Sequence, residues 1–369
     1  METTHEKPAL PRRSSDVNAE WLTQALRAAG LPVTVGEVRR GRMGEGVGMM
    51  SDLEKLELTY SEGAGPDVLI FKRPADNDAN RAVADTFELY KREVLFYRDV
   101  AHRTPARTPL AYYAEIDGNA FALVVEDLSA YQLGDQIIGC VKEEAAAVMR
   151  WMGRFHATFW GKVEDPTLDF LPLVHPSYSS EGLMQGAAFG WDPMVAAFGD
   201  VIPDHIAALK DRFLAALPTV FSWMAEAPIT VLHGDVRMDN LFFGKTADQE
   251  PLIAVDWQGS LRGRAAQDLG YFMSGSLPVE TRRKHERELL QVWHDELCAS
   301  GVTDYTADDA WQDYRRGTFF VWTHAVVISG TLDLANERGK AWVKEMLVRS
   351  VAAFDDLNLV ELLDEIESA

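Results

Sequence analysis

Apolar and polar residues alternate with two different periods along this chain, and the change of period divides it. Residues 1–15 are polar and proline-containing and read as a disordered tail. Asp16 or Asn18 then stands where a helix over 19–29 needs its cap, and Gly30 and Pro32 close that helix. Residues 33–40 read as a strand, followed by the glycine-rich turn GRMGEGVGMMS at 41–51. Across 53–60, Leu56 and Leu58 alternate with Lys55 and Glu57, the period of a half-buried strand. A turn cluster at 61–67 leads to a short apolar strand, 68–71, that ends at Lys72. Residues 82–100 carry Phe87, Tyr90, Val94, Leu95 and Tyr97 at helical spacing. Strands are expected at 110–116 and 121–125, separated by the hairpin signal Asp117-Gly118-Asn119.

Beyond Glu126 strands nearly stop. Residues 143–160 and 204–226 are helical, and the proline-punctuated stretch 161–200 reads as loop. Two short apolar strands, 230–232 and 252–255, flank a polar loop, and from 268 onward the pattern is helical. The run 317–332 is shorter than the ~20 apolar residues a membrane span needs and reads as a buried helix. An α+β architecture follows. A small N-lobe, 16–128, is an antiparallel sheet with one main helix; a larger, mainly helical C-lobe is 129–369.

The polar loop carries the chemistry. It reads VLHGDVRMDNLFFG at 231–244 and is followed by LIAVDWQ at 252–258, so His233, Asp235 and Asn240 stand together and Asp256 ends the second strand. Phosphoryl transfer needs such a set, because its transition state is loose and highly charged and is met by positioning and neutralisation. Asn240 and Asp256 supply oxygen ligands for a hard Mg2+ ion. Asp235 is free to orient an alcohol and take its proton. His233 braces the loop. Arg237 either reaches the transferring phosphoryl or pairs with Asp239 on the surface. Upstream, Lys72 ends a strand where an ammonium meets phosphates, and Glu93 on the following helix is placed to hold it. Gly46 in the turn allows close backbone approach to phosphate, and Ser51 can donate a hydroxyl.

These residues, with LVVEDL at 123–128, RFHATFW at 154–160 and AQDLGYF at 266–272, resemble the aminoglycoside phosphotransferase/choline kinase-like superfamily of the protein-kinase-like fold. Within it the similarity is to the ecdysteroid-kinase-like group and its bacterial relatives, over roughly residues 30 to 330. The resemblance implies a bilobal fold, an ATP cofactor with Mg2+, nucleobase contacts from the backbone near Glu126 and Leu128, and a structural role for Asp268. Gln258 stands where protein kinases have glycine, and no peptide-docking segment is seen, which disfavours a protein substrate.

Composition narrows the partners. With 36 basic and 57 acidic residues the formal charge is −21, and no basic block offsets it, so neither nucleic acid nor an anionic membrane surface is an expected partner. Two cysteines, Cys140 and Cys298, form neither a disulfide framework nor a metal pattern, and a cytoplasmic setting is expected. The oligomeric state is open. The expected activity is Mg-ATP-dependent phosphorylation of a small-molecule hydroxyl. The resemblance, with the Phe- and Trp-rich region 155–198, favours an apolar or aromatic alcohol over a cationic acceptor of the aminoglycoside or choline type. His156, Trp160 and Trp191 are candidate substrate contacts, with core packing as their alternative. The readings from other classes are a nucleotide-binding pseudokinase and a metal-dependent hydrolase using His233, Asp235 and Asp256.

Overall fold

The structure is a computed structural model and describes residues 6–43, 50–331 and 337–368. The chain divides into two compact units. One comprises residues up to Arg103, Thr108–Tyr131 and Trp257–Gly259; the other comprises Thr104–Arg107, Gln132–Asp256 and everything from Ser260 on. Residues 257–259, assigned from sequence to the helical lobe, thus belong with the sheet. Trp257 stacks on Phe96 there, ring centroids 3.6 Å apart and planes 8° from parallel.

The sheet unit is built from α1 (Ala19–Ala28), β1 (Thr34–Arg42), β2 (Ser51–Glu62), β3 (Val68–Pro74), α2 (Asp78–Thr86), α3 (Leu89–Leu95), β4 (Ala111–Asp117) and β5 (Ala120–Glu126). Its sheet runs β1-β2-β3-β5-β4, antiparallel at every step. Asn18 caps α1 by accepting from Trp21 N–H at 3.0 Å. The apolar face of α1 (Trp21, Leu22, Leu26) packs on the inward residues of β2, β3 and β5, among them Leu56, Leu58, Leu69, Phe71 and Val124.

Two expectations are corrected here. Residues 6–15 are not a free tail. The Pro8 carbonyl accepts from Tyr113 and the Ala9 carbonyl from Trp21 Nε1, because these buried aromatic rings have polar tips that need partners. The expected single helix over 82–100 is broken at Glu88, whose φ is 51°, into α2, α3 and a wide turn over Phe96–Val100. The mainly exposed α2 and the buried α3 need different directions, and the left-handed residue supplies the change.

The helical unit contains β6 (Gln132–Leu133), α4 (Lys142–Phe159), α5 (Tyr178–Phe198), α6 (Asp204–Ala207), α7 (Lys210–Ala225), β7 (Thr230–Leu232), β8 (Leu241–Phe243), β9 (Leu252–Ala254), β10 (Leu261–Gly263), α8 (Ala266–Ser276), α9 (Val279–Ala299), α10 (Ala307–Thr331), α11 (Glu337–Asp356) and α12 (Val360–Ser368). The stretch read as loop contains α5, a helix with Pro193 inside it. Ser177 caps it, and Pro193 lies on the exposed face, where the carbonyl that loses its intrahelical donor can be hydrated.

α10 is the axis of this unit and touches its neighbours backbone to backbone. A Cβ on Gly317 would lie 1.9 Å from the Ala266 carbonyl oxygen of α8, and one on Gly330 would lie 2.0 Å from the Gly190 oxygen of α5. Only glycine allows either approach. Among the described residues no helix is long and apolar enough to cross a membrane.

Candidate functional site

β7 pairs with β10, and β8 with β6 and β9, so the loop 233–240 is held between two small sheets. Gly234, at φ 80°, makes the sharp turn out of β7. Asp268, fully buried at the start of α8, accepts from the N–H groups of His233 (2.8 Å) and Gly234 (2.9 Å). It also meets His156 Nε2 at 3.2 Å, while Trp293 Nε1 donates to His156 Nδ1 at 3.1 Å. Nδ1 is therefore the acceptor nitrogen of His156 and Nε2 carries the proton toward Asp268. This chain of partners fixes where the loop begins.

His233 fixes where it meets β9. Its Nε2 donates to the Val255 carbonyl at 3.0 Å and its Nδ1 accepts from Asp235 N–H at 3.3 Å. Val255 N–H donates to the Asn240 carbonyl at 2.9 Å. Both backbone groups of Val255 are thus tied to the loop. The next residue, Asp256, is held at φ 66°, a strained conformation for any residue but glycine.

Asp235 is the centre of the loop. Its Oδ1 accepts from Tyr271 OH at 2.9 Å, and its Oδ2 accepts from Asn240 Nδ2 at 2.8 Å and from Arg237 Nε at 3.3 Å. Burial, reinforced by the Asp235 charge, holds the Tyr271 pKa well above the usual phenol value, so the phenol stays protonated and donates. Arg237 also pairs with Asp239 through Nη1 at 3.1 Å and lies 5.5 Å from the centre of the Trp342 ring. Burial opposes its charge, but Asp235, Asp239 and Asp256 outweigh that and raise its pKa above the ordinary value. The second hydrogen of Asn240 Nδ2 goes to the Asp235 carbonyl at 3.0 Å. Its donor side is thereby committed to Asp235.

Gln136 clamps the loop from outside. It donates its N–H to Asp239 Oδ1 (3.0 Å), and its Oε1 accepts from Met238 N–H (2.7 Å) and Ser276 OH (3.1 Å). Sequence reading missed Gln136, because nothing in its neighbourhood marks a partner a hundred residues away. It also missed Tyr271. A signal existed there, since Tyr271 follows Asp268 by three residues and shares its helix face.

In the sheet unit, Lys72 Nζ lies 2.7 Å from Glu93 Oε1, with both side chains buried. Gln258 Nε2 bridges Glu93 Oε2 at 3.1 Å and Ser51 Oγ at 2.8 Å. Ser51, expected to offer a hydroxyl to phosphate, is instead buried and engaged with Gln258, which explains a glutamine where protein kinases have glycine. Glu126 pairs with Leu69 at the end of β5, and Leu128 is buried, its carbonyl accepting from Tyr131 N–H at 2.9 Å. Gly46 lies outside the described residues.

Two of the three candidate substrate contacts are corrected. His156 is fully buried between Asp268 and Trp293. Trp191 is fully buried against Phe213 and Trp322. Trp160 packs on Trp293 and Tyr305. His156 and Trp191 serve the core, as large aromatic groups in helical stretches commonly do, while Trp160 is only half-buried.

The model of the ecdysteroid kinase-like family matches residues 45–301. No curated protein matches the chain. Among solved structures, choline kinase from Cryptosporidium parvum Iowa II superposes with a TM-score of 0.53 at 9% identity, covering 89% of this chain and 93% of that one. Plasmodium vivax ethanolamine kinase gives 0.52 at 10% identity, over 86% and 81%. The GDP complex of wild-type aminoglycoside 2'-phosphotransferase-IIIa gives 0.50 at 12% identity, over 94% and 98%. At such identities the likeness establishes the fold, a bilobal kinase-like one, and nothing finer.

Proposed function

The chain belongs to the ecdysteroid kinase-like family, and from that premise we propose that it is a small-molecule O-phosphotransferase. It moves the γ-phosphoryl group of Mg-ATP to the hydroxyl of an apolar or aromatic alcohol. The observation that carries the reading is the Asp235 carboxylate, held by Tyr271, Asn240 and Arg237 on a loop to which the Asp256 strand end is fastened.

Asp235 orients the acceptor hydroxyl and takes its proton as the acceptor oxygen bonds to the γ-phosphorus. The bond from that phosphorus to its bridging oxygen breaks, and the nucleoside diphosphate leaves with the electron pair. Tyr271 and Asn240 fix the carboxylate in one orientation, so no reorganisation is needed at the moment of transfer. Arg237 offers a guanidinium to the phosphoryl oxygens. Lys72, steadied by Glu93, holds the other phosphates. Asn240 and Asp256 would hold Mg2+, one carbonyl and one carboxylate oxygen, a hard donor set that suits an ion taking its remaining ligands from phosphate and water. When bound, the ion neutralises charge on the phosphates.

The test is mass spectrometry of an acceptor panel (aryl alcohols, terpenols, sterols, choline, aminoglycosides) incubated with the protein and Mg-ATP or Mg-GTP. A gain of one phosphate on an alcohol is expected, falling about 10³-fold in kcat for Asp235→Asn, with nucleotide affinity retained. The absence of both phosphate gain and nucleotide binding by calorimetry would sink the reading.

A further inference from the structure

We propose that Gln136, itself held by Arg349, is the positioning residue of the Asp235 loop: it sets how Asn240 is presented to the metal ion and how Arg237 is aimed. This rests on the phosphotransferase reading of Asp235, Asn240 and Asp256, and adds to it a brace that begins on α11.

Residues 134–140 link β6 to α4 and lie against the turn Met238–Asn240, all within the helical unit. The approach is backbone to backbone. Gly134 N–H donates to the Leu241 carbonyl at 2.9 Å, and a Cβ on Gly134 would stand 2.5 Å from the Met238 carbonyl oxygen. Gln136 is buried and uses every polar group it has. Besides its bonds to Asp239, Met238 and Ser276, its Nε2 donates to the Gly275 carbonyl at 2.9 Å and its own carbonyl accepts from Arg349 Nη1 at 2.7 Å. Arg349, on α11 and also buried, donates further to the Gly275 carbonyl at 3.0 Å and, through Nη2, to the Ile137 carbonyl at 2.6 Å. Gly275 is in the last turn of α8, where carbonyls lack an intrahelical donor and a guanidinium is favourable.

A buried arginine is costly, and Glu345, its ion-pair partner, stands at 4.0 Å, so the close contacts of this guanidinium are carbonyls of the strap and of α8. What it secures is the place of Gln136, and Gln136 acts on the loop in two ways. Met238 opens a single tight turn, so its N–H has no partner inside that turn; it is buried and is satisfied by Gln136 Oε1. The same turn ends at Asn240, whose Nδ2 is committed to Asp235. Between them, Asp239 takes Gln136 N–H on Oδ1 and Arg237 Nη1 on Oδ2, so Gln136 fixes the carboxylate that aims the guanidinium. One residue thus places both the amide and the guanidinium without touching either. Groups that orient a metal ligand in this way commonly change metal affinity by about 10–100-fold when removed.

The experiment reads metal binding apart from turnover. Mn2+ is titrated into the full chain saturated with ADP, with GDP in a parallel series, and the bound ion is followed by electron paramagnetic resonance. Wild type, Gln136→Leu, Arg349→Lys and Tyr305→Phe are compared, and metal-free nucleotide affinity is measured on each by calorimetry. Gln136→Leu should weaken Mn2+ about tenfold, with metal-free nucleotide affinity within about twofold. Arg349→Lys keeps the charge but loses the planar fork that bridges the carbonyls, and should weaken Mn2+ about threefold. Tyr305→Phe removes a buried hydrogen bond to Asp313, 2.7 Å, that does not touch the loop, and should leave Mn2+ affinity unchanged. A variant that merely folds less well lowers the number of sites and not their affinity, and Arg349→Lys carries the test where Gln136→Leu fails to fold. Unchanged Mn2+ affinity in the Gln136 and Arg349 variants, or equal weakening by Tyr305→Phe, would overturn the proposal. Wild type that takes up Mn2+ with neither nucleotide would remove the phosphotransferase reading itself, and the proposal with it.

Discussion

The Lys72 network and the Asp235 loop are both polar and both tightly held, but by different means. Around Lys72 the ammonium meets Glu93, the second Glu93 oxygen meets Gln258, and Gln258 meets Ser51. Around Asp235 the carboxylate meets Tyr271, Asn240 and Arg237, while Asp268 and Gln136 hold the backbone of the loop. On the proposed function the first region handles a reactant that never changes, and completing its contacts in advance removes reorganisation from every turnover. The second carries the carboxylate that meets the acceptor, and there the backbone of the loop is anchored as well as its side chains.

The largest test of this contrast is Lys72→Met. It leaves the Glu93 carboxylate buried without its ammonium and should cost about 3–5 kcal/mol in urea unfolding. The double variant with Glu93→Leu should recover most of that loss. Equal destabilisation by the single and double variants would show that the pair is not the organising interaction.

Next comes the pH dependence of His324. Its folded pKa of about 4 lies below the unfolded value of 6.5, so between these values only the unfolded chain takes up a proton. Stability is full above the unfolded value and falls as the pH drops toward 4. Wild type should therefore lose up to ~3 kcal/mol more than His324→Phe between pH 7 and pH 4.5, read from urea curves at both pH values. Parallel losses would mean that the imidazole is hydrated in the folded state. The smallest effect is expected for Gln258→Ala, which removes a donor from Glu93 and Ser51. A loss of about 1–2 kcal/mol in thermal unfolding is expected, and no loss would show that the bridge contributes nothing to stability.

What the chain disclosed in advance follows from how far apart the interacting residues lie. His233, Asp235 and Asn240 are near neighbours in sequence, and the strand that ends at Asp256 follows closely, so spacing alone suggested a common loop. The alternation of Leu56 and Leu58 with Lys55 and Glu57 marked β2 because a strand with one wet face must show that period. α5 was hidden because its proline reads as a breaker unless one knows that Pro193 faces water. Gln136 and Trp342 reach the loop only through tertiary packing, and no local pattern announces such partners. His324 sits inside the apolar run 317–332, where a lone histidine looks like one more core residue.

The two glycine crossings of α10 carry a consequence for how the helical unit can diversify. The helix is pinned to α8 at Gly317 and to α5 at Gly330, and His324 lies between the pins. The spacing of α10 from α8 and α5 is therefore set by atoms that are absent. A single methyl added at either pin acts as a wedge between helices, at a point outside the loop that holds Asp235. A lineage that keeps its chemistry while changing how its helices pack has in these two positions a mechanical adjustment remote from the reacting atoms.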